Sequence, residues 1–105
     1  AVKKEKHSLN VDSVKLSIDK RNIELEDAKQ GILNKLNNAI DELSYLRKQF
    51  SINKKKVSYL KKRLNDDNNM LSYYNEINTL NEIEKNLIRK ENEIELYKMR
   101  MFFIG

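Results

Sequence analysis

The sequence predicts an all-α protein whose long helices form a coiled coil, either bent or folded back as a helical hairpin. Three observations predict it. The 105 residues contain no proline and two glycines, Gly31 and Gly105. That is too little turn punctuation for the many tight loops of an all-β or α/β fold. Charged residues make up 35% and the apolar class 39%, the balance of helices with a narrow buried stripe and a wide wet face. The third observation is an apolar row that recurs at alternating steps of three and four.

Residues 1–8 are basic and polar and read as a loose lead-in, with Ser8, Asn10 and Asp12 as alternative N-caps of the first helix. The lead-in has no apolar stretch of the signal-peptide kind. Residues 9–105 read as one helical coiled-coil region. Its early part is half apolar. Val11, Ile18, Leu25 and Ile32 recur every seven residues, and the alternating row holds the polar Lys15, Asn22 and Lys29. Polar residues there hint at a partner other than the chain itself, because parallel self-pairing in register stacks like on like.

From Leu36 the row fills. With Leu36 as position a of the heptad, Leu43, Phe50, Val57, Leu64 and Leu71 are also a, and Ala39, Leu46, Leu60 and Tyr74 are d. Asn53 and Asp67 break the d row. The phase then slips: Leu80 follows Leu71 by nine residues and starts a new row with Ile83, Leu87, Ile94, Tyr97, Met101 and Ile104. Such a slip marks a stutter or a break, expected within 65–79. Asn65-Asp-Asp-Asn-Asn69 is rich in turn formers, Thr79-Leu-Asn-Glu82 fits a capping box, and Ser51-Ile-Asn53 is a weaker turn candidate. The in-phase spacing of Leu64 and Leu71 argues for continuity through 65–69. The interaction seam expected from these rows is Leu36, Ala39, Leu43, Leu46, Phe50, Val57, Leu60, Leu64, Leu71, Tyr74, Leu80, Ile83, Leu87 and Ile94.

Two further features stand out. Lys54, Lys55, Lys56, Lys61, Lys62 and Arg63 place six positive charges in ten residues of a chain whose net charge is +5. Two uses compete for them. One is pairing with the acidic arm that holds Glu82, Glu84, Glu91, Glu93 and Glu95. The other is contact with nucleic acid or an anionic membrane surface. At the C-terminal end Met99, Met101, Phe102, Phe103 and Ile104 cannot all face one seam. They are expected to form a docking tip, or to belong to a larger bundle.

Nothing in the sequence favours an enzyme. The single histidine, His7, sits in the lead-in, and no glycine-rich phosphate loop or ordered series of calcium ligands is present. With no cysteine, thiol catalysis and cysteine metal sites are excluded. No catalytic residue, metal, cofactor or small-molecule substrate is expected. An extracellular domain with so narrow a core is commonly stapled by disulfides, so the expected location is intracellular. The function expected is that of a structural and interaction protein: a coiled-coil scaffold, tether or oligomerisation segment whose partner is itself or another helical subunit. The alternative is a helical module that binds a polyanion through 54–63.

Overall fold

The computed structural model describes the backbone of residues 2–65 and 67–104 and the side chains of 10–65 and 68–104. The side chains of His7, Asp66 and Asp67 lie outside the described set. Two helices make up the fold, α1 (Val2–Lys61) and α2 (Asp67–Ile104). They pack against each other along their length as a hairpin. Because α1 starts at Val2, the lead-in expected to be loose is helical from residue 2, and Ser8, Asn10 and Asp12 lie inside a helix rather than at its cap.

The described part of the reversal is 62–65. It falls just before and within the asparagine- and aspartate-rich stretch, through which the in-phase spacing of Leu64 and Leu71 favours continuity. A helix end leaves its last carbonyls without partners, and this one answers them with local donors. The Arg63 N–H donates to the Leu60 carbonyl at 2.9 Å, and the Arg63 guanidinium donates to the Tyr59 carbonyl at 3.3 Å. Asn69 Nδ2 donates across the turn to the Arg63 carbonyl at 2.9 Å. No described residue takes a positive φ, so the turn needs no glycine. Helix α2 runs without interruption through 75–79. Thr79 does not cap it: its hydroxyl donates back to the Asn75 carbonyl at 3.0 Å, a bond made inside helices.

The molecule is a rod, 97 × 18 × 14 Å, with a radius of gyration of 26.6 Å. A compact chain of this length has a radius near ~13 Å. Its accessible surface is 8750 Å², against about 6,200 Å² for a globular monomer of its mass. Two helices cannot enclose a core from all sides. The buried apolar set is accordingly small: Ala39, Leu43 and Ile94, with Leu36, Leu87 and Tyr97 packed around it.

The ion pairs Lys90–Glu42 and Arg47–Glu91 fix the register. Stepping by threes and fours from Leu43 level with Lys90, the layers run Ala39 with Ile94, Leu36 with Tyr97, and Ile32 with Met101. Toward the turn they run Leu46 with Leu87, Phe50 with Ile83, Asn53 with Leu80, Val57 with Glu76, and Leu60 with Tyr73. All of these residues are buried or half-buried. Helix α2 therefore stops level with Lys29, and every described position from 10 to 28 on α1 is exposed. About 40 Å of α1, at 1.5 Å per residue, projects beyond its partner helix.

Candidate interaction surfaces

The seam is one antiparallel heptad interface. Leu36, Ala39, Leu43, Leu46, Phe50, Val57 and Leu60 on α1 meet Leu80, Ile83, Leu87 and Ile94 on α2, as the heptad spacing requires. Leu64, Leu71 and Tyr74 do not join them. Leu64 lies in the turn, and Leu71 and Tyr74 are 63% and 57% exposed. The reason is the reversal itself. It resets the frame, so α2 buries Tyr73 and Glu76 in the row that continues to Leu80 and Ile83. The seam row expected from the sequence omits both, because a tyrosine and a glutamate two residues out of phase carry less apolar signal than Leu71 and Tyr74.

At its middle the seam holds a charge. Lys90 occupies a seam position opposite Leu43 with its side chain only 20% exposed. Its ammonium donates to Glu93 on its own helix at 2.8 Å and pairs with Glu42 across the interface. The Tyr97 hydroxyl donates to the other Glu93 oxygen at 2.9 Å. The hydrogen bond to Glu42, then that to Glu93, holds the Lys90 ammonium above the usual lysine range, although burial acts against it. The Lys90 bond, then the Tyr97 bond, holds the Glu93 carboxyl below the usual carboxylate range. Accepting the bond at Glu93 in turn raises the Tyr97 hydroxyl. A lysine inside an apolar row is thus tolerated because the residue beside its facing leucine is a carboxylate. Nearer the turn, Glu76 lacks such a partner: its Oε2 is buried with no hydrogen bond among the described residues.

The basic segment is not drawn into the hairpin. Lys54, Lys55, Lys56, Lys61, Lys62 and Arg63 are all exposed, and among the described residues none is ion-paired to a carboxylate. Of the acidic arm, Glu91 pairs with Arg47, Glu93 with Lys90, and Glu82 and Glu95 with lysines of their own helix. Instead Lys54, Lys55, Ser58, Tyr59, Lys62 and Arg63 line an open concavity of about 470 Å³. The Arg63 guanidinium covers the Tyr59 ring at 3.7 Å, which holds part of that lining in place.

The C-terminal apolar set divides. Met101 and Ile104 face the seam and are half-buried, whereas Met99, Phe102 and Phe103 are exposed. The two phenyl rings pack edge to face at 5.6 Å and are 80% and 78% exposed. Beside them begins the bare part of α1, where Val14, Leu16, Ile18 and Ile23 are each more than half exposed.

Among the described residues no three histidine or acidic side chains are grouped to hold a metal ion, and no helix is long and apolar enough to cross a membrane. Compared with protein-family models, with curated proteins and with solved structures, the chain shows no significant match. Its own residues therefore carry the functional reading.

Proposed function

We propose that this chain is a structural and interaction protein, a coiled-coil scaffold or tether that works through helix-to-helix contact. The observation that carries the reading is the apolar face that α1 leaves exposed, where Val11, Val14, Leu16, Ile18, Ile23 and Leu25 are all exposed. Its heptad d row continues through Leu25, Ile18 and Val11, none of them covered among the described residues. Soluble chains seldom leave long apolar rows bare unless something docks there. The rod shape supports the same reading, since a slim body 97 Å long separates its ends widely for its mass.

A second reading rests on a different observation. Lys54, Lys55, Lys62 and Arg63 line one concavity, and among the described residues none of them is ion-paired to a carboxylate. That favours a polyanion ligand, nucleic acid or an anionic membrane surface, whose binding weakens steeply with salt as counterions are released.

A photo-crosslinking side chain placed at Ile18, at Phe103 or at Lys55, in the cells that make the protein, separates the two. The scaffold reading expects protein adducts at Ile18 or Phe103, including adducts of the chain with itself. Adducts of Lys55 with nucleic acid or lipid, and none with protein elsewhere, transfer the conclusion to the second reading. Absence of any adduct at all three positions overturns both.

A further inference from the structure

The outer face of α1 near the turn repeats itself. Three consecutive heptads share one pattern: Ser44-Tyr-Leu-Arg-Lys-Gln-Phe50, Ser51-Ile-Asn-Lys-Lys-Lys-Val57 and Ser58-Tyr-Leu-Lys-Lys-Arg-Leu64. Each opens with serine at b, follows it with tyrosine or isoleucine at c, and places cations at e and f. The preceding heptad, Asn37 to Leu43, lacks the pattern and carries Asp41 and Glu42. Positions b, c and f lie on the side of a helix opposite its a and d seam. Helix α2 covers that seam here, so the three serines, Tyr45, Ile52 and Tyr59, and the row Lys48, Lys55 and Lys62 all stand exposed.

The stripe carries one sign of charge. Between Glu42 and Asp66 there are eight cations and no acid. Arg47 pairs with Glu91 at 3.7 Å, and among the described residues none of the other seven is ion-paired. Lys62 and Arg63 lie just past the end of α1 at Lys61. They nevertheless line the same concavity, of about 470 Å³, as Lys54, Lys55, Ser58 and Tyr59, so the stripe carries through into the turn. From Ser44 to Arg63 it is about 29 Å long, at 1.5 Å per residue.

We infer that this stripe binds the sugar-phosphate backbone of duplex nucleic acid without reading its sequence. Serine, tyrosine, lysine and arginine all donate to phosphate oxygens, and on the b, c and f positions of the three heptads only Ile52 is not such a donor. Lysines dominate, and a lysine is a point charge on a flexible stem, suited to holding a backbone rather than to choosing a base. A helix that lies in a membrane surface buries a broad apolar face among the lipids. The apolar face of this stretch is taken by α2, and its outer face offers Ile52 as the one aliphatic residue. A single strand is held by aromatic rings on which successive bases stack. Tyr45 and Tyr59 stand about 21 Å apart, at 1.5 Å per residue, and the Arg63 guanidinium already covers the Tyr59 ring at 3.7 Å. A duplex needs charge along a straight, rigid track. The lysine row supplies it, with Lys54 and Lys61 on one flank and Lys56 and Arg63 on the other to meet the phosphates of two strands.

This inference goes beyond the scaffold reading and rests on the polyanion reading, whose ligand it narrows. Fluorescence anisotropy of the full chain tests it with a DNA duplex of about 20 base pairs, roughly two helical turns. The competing probes are a single strand of the same length and vesicles of phosphatidylserine and phosphatidylcholine. Expected are tightest binding to the duplex, equal affinity for duplexes of unrelated sequence, and a loss on the order of 10³-fold between about 50 and about 200 mM salt, as for six or more phosphate contacts. Lys48→Gln, Lys55→Gln and Lys62→Gln together are expected to lower the log–log salt slope by about three, one for each phosphate contact, with thermal melting unchanged. Lys15→Gln, Lys20→Gln and Lys35→Gln remove the same charge from exposed positions elsewhere on α1 and are expected to leave the slope as it is. Equal weakening by the two triple variants would mean attraction by net charge alone and overturn the assignment to this face. Tighter binding to the single strand or to the vesicles overturns the duplex inference and leaves the polyanion reading standing. No binding to any of the three probes at about 50 mM salt, where phosphate contacts are strong, overturns both and leaves the scaffold reading untouched.

Discussion

The covered and the bare parts of α1 share one helix and one heptad frame, yet only one of them is paired. Between Ile32 and Leu60 both rows of the frame are apolar except at Asn53, and α2 lies on them. Between Val11 and Lys29 the d row stays apolar while the a row is Lys, Asn and Lys. A half-apolar row buries less surface than a fully apolar one, and so offsets less of the entropy of ordering a helix laid on it. It is suited to a weaker contact in which charges choose the partner. Heptad phase thus sets where a helix can be covered, and the residues in the second row set how tightly and by what.

The largest expected effect contrasts one change made in both parts. Leu43→Asp puts a carboxylate between Lys90 and Ile94 in the buried centre, and should cost the hairpin roughly 3 kcal/mol or more. Circular dichroism would record loss of helical signal and of cooperative melting. Leu25→Asp, on the bare seam, should leave the melting of the hairpin within about 0.5 kcal/mol of wild type, while removing any self-association. Equal losses from the two changes would mean that the bare part is covered within the chain.

A gain is expected at the other end of the covered seam. Glu76 stands in a heptad row opposite Val57 with a buried oxygen that no donor reaches among the described residues. Glu76→Leu replaces an orphaned polar atom by an apolar residue and should stabilise the hairpin by about 1–2 kcal/mol, seen as a higher denaturation midpoint. Gly31→Ala tests the junction of the two parts. A Cβ added at Gly31 meets nothing within 4 Å, and the helix runs straight through it. The change should raise stability by about 0.5–1 kcal/mol through backbone entropy alone.

The smallest effect is the dependence on pH. Glu93 has a depressed folded pKa, so its contribution is present above the unfolded value of about 4.3 and is lost as pH falls through the folded one. Lys90 and Tyr97 have raised pKa values. Their contributions are whole below the unfolded values, about 10 for tyrosine and about 10.4 for lysine, and are lost as pH rises through the folded ones. Hairpin stability should be flat between these limits, with shallow losses on either side that Lys90→Met reduces. Salt should shrink them further, since these groups are partly solvated.

Much of the fold was legible in the sequence, for a physical reason. Seven of the seam positions on α1 and four on α2 are leucine, isoleucine, valine, alanine or phenylalanine in strict heptad spacing, and such spacing is read the same way by the eye and by a packing helix. The reversal that follows Lys61 was harder to place because its flanks mimic a continuous frame. Leu64 and Leu71 sit seven residues apart by coincidence of the turn, and the helix ends through hydrogen bonds from Arg63 and Asn69 rather than through a glycine or proline. Lys90 was hidden for a different reason. A seam lysine is indistinguishable from a surface lysine until Glu42, 48 positions earlier, is brought beside it. The exposure of the basic segment was equally hidden, since its pairing with the acidic arm depended on a register that the chain does not spell out.

Hydrogen exchange resolved along the chain in dilute solution tests the division of α1 most directly. Strong protection is expected for 36–60 and 76–101, with exchange many times faster across 11–28. Uniform protection along the whole of α1 in dilute solution, or none in 36–60, would contradict the division into a covered and a bare seam.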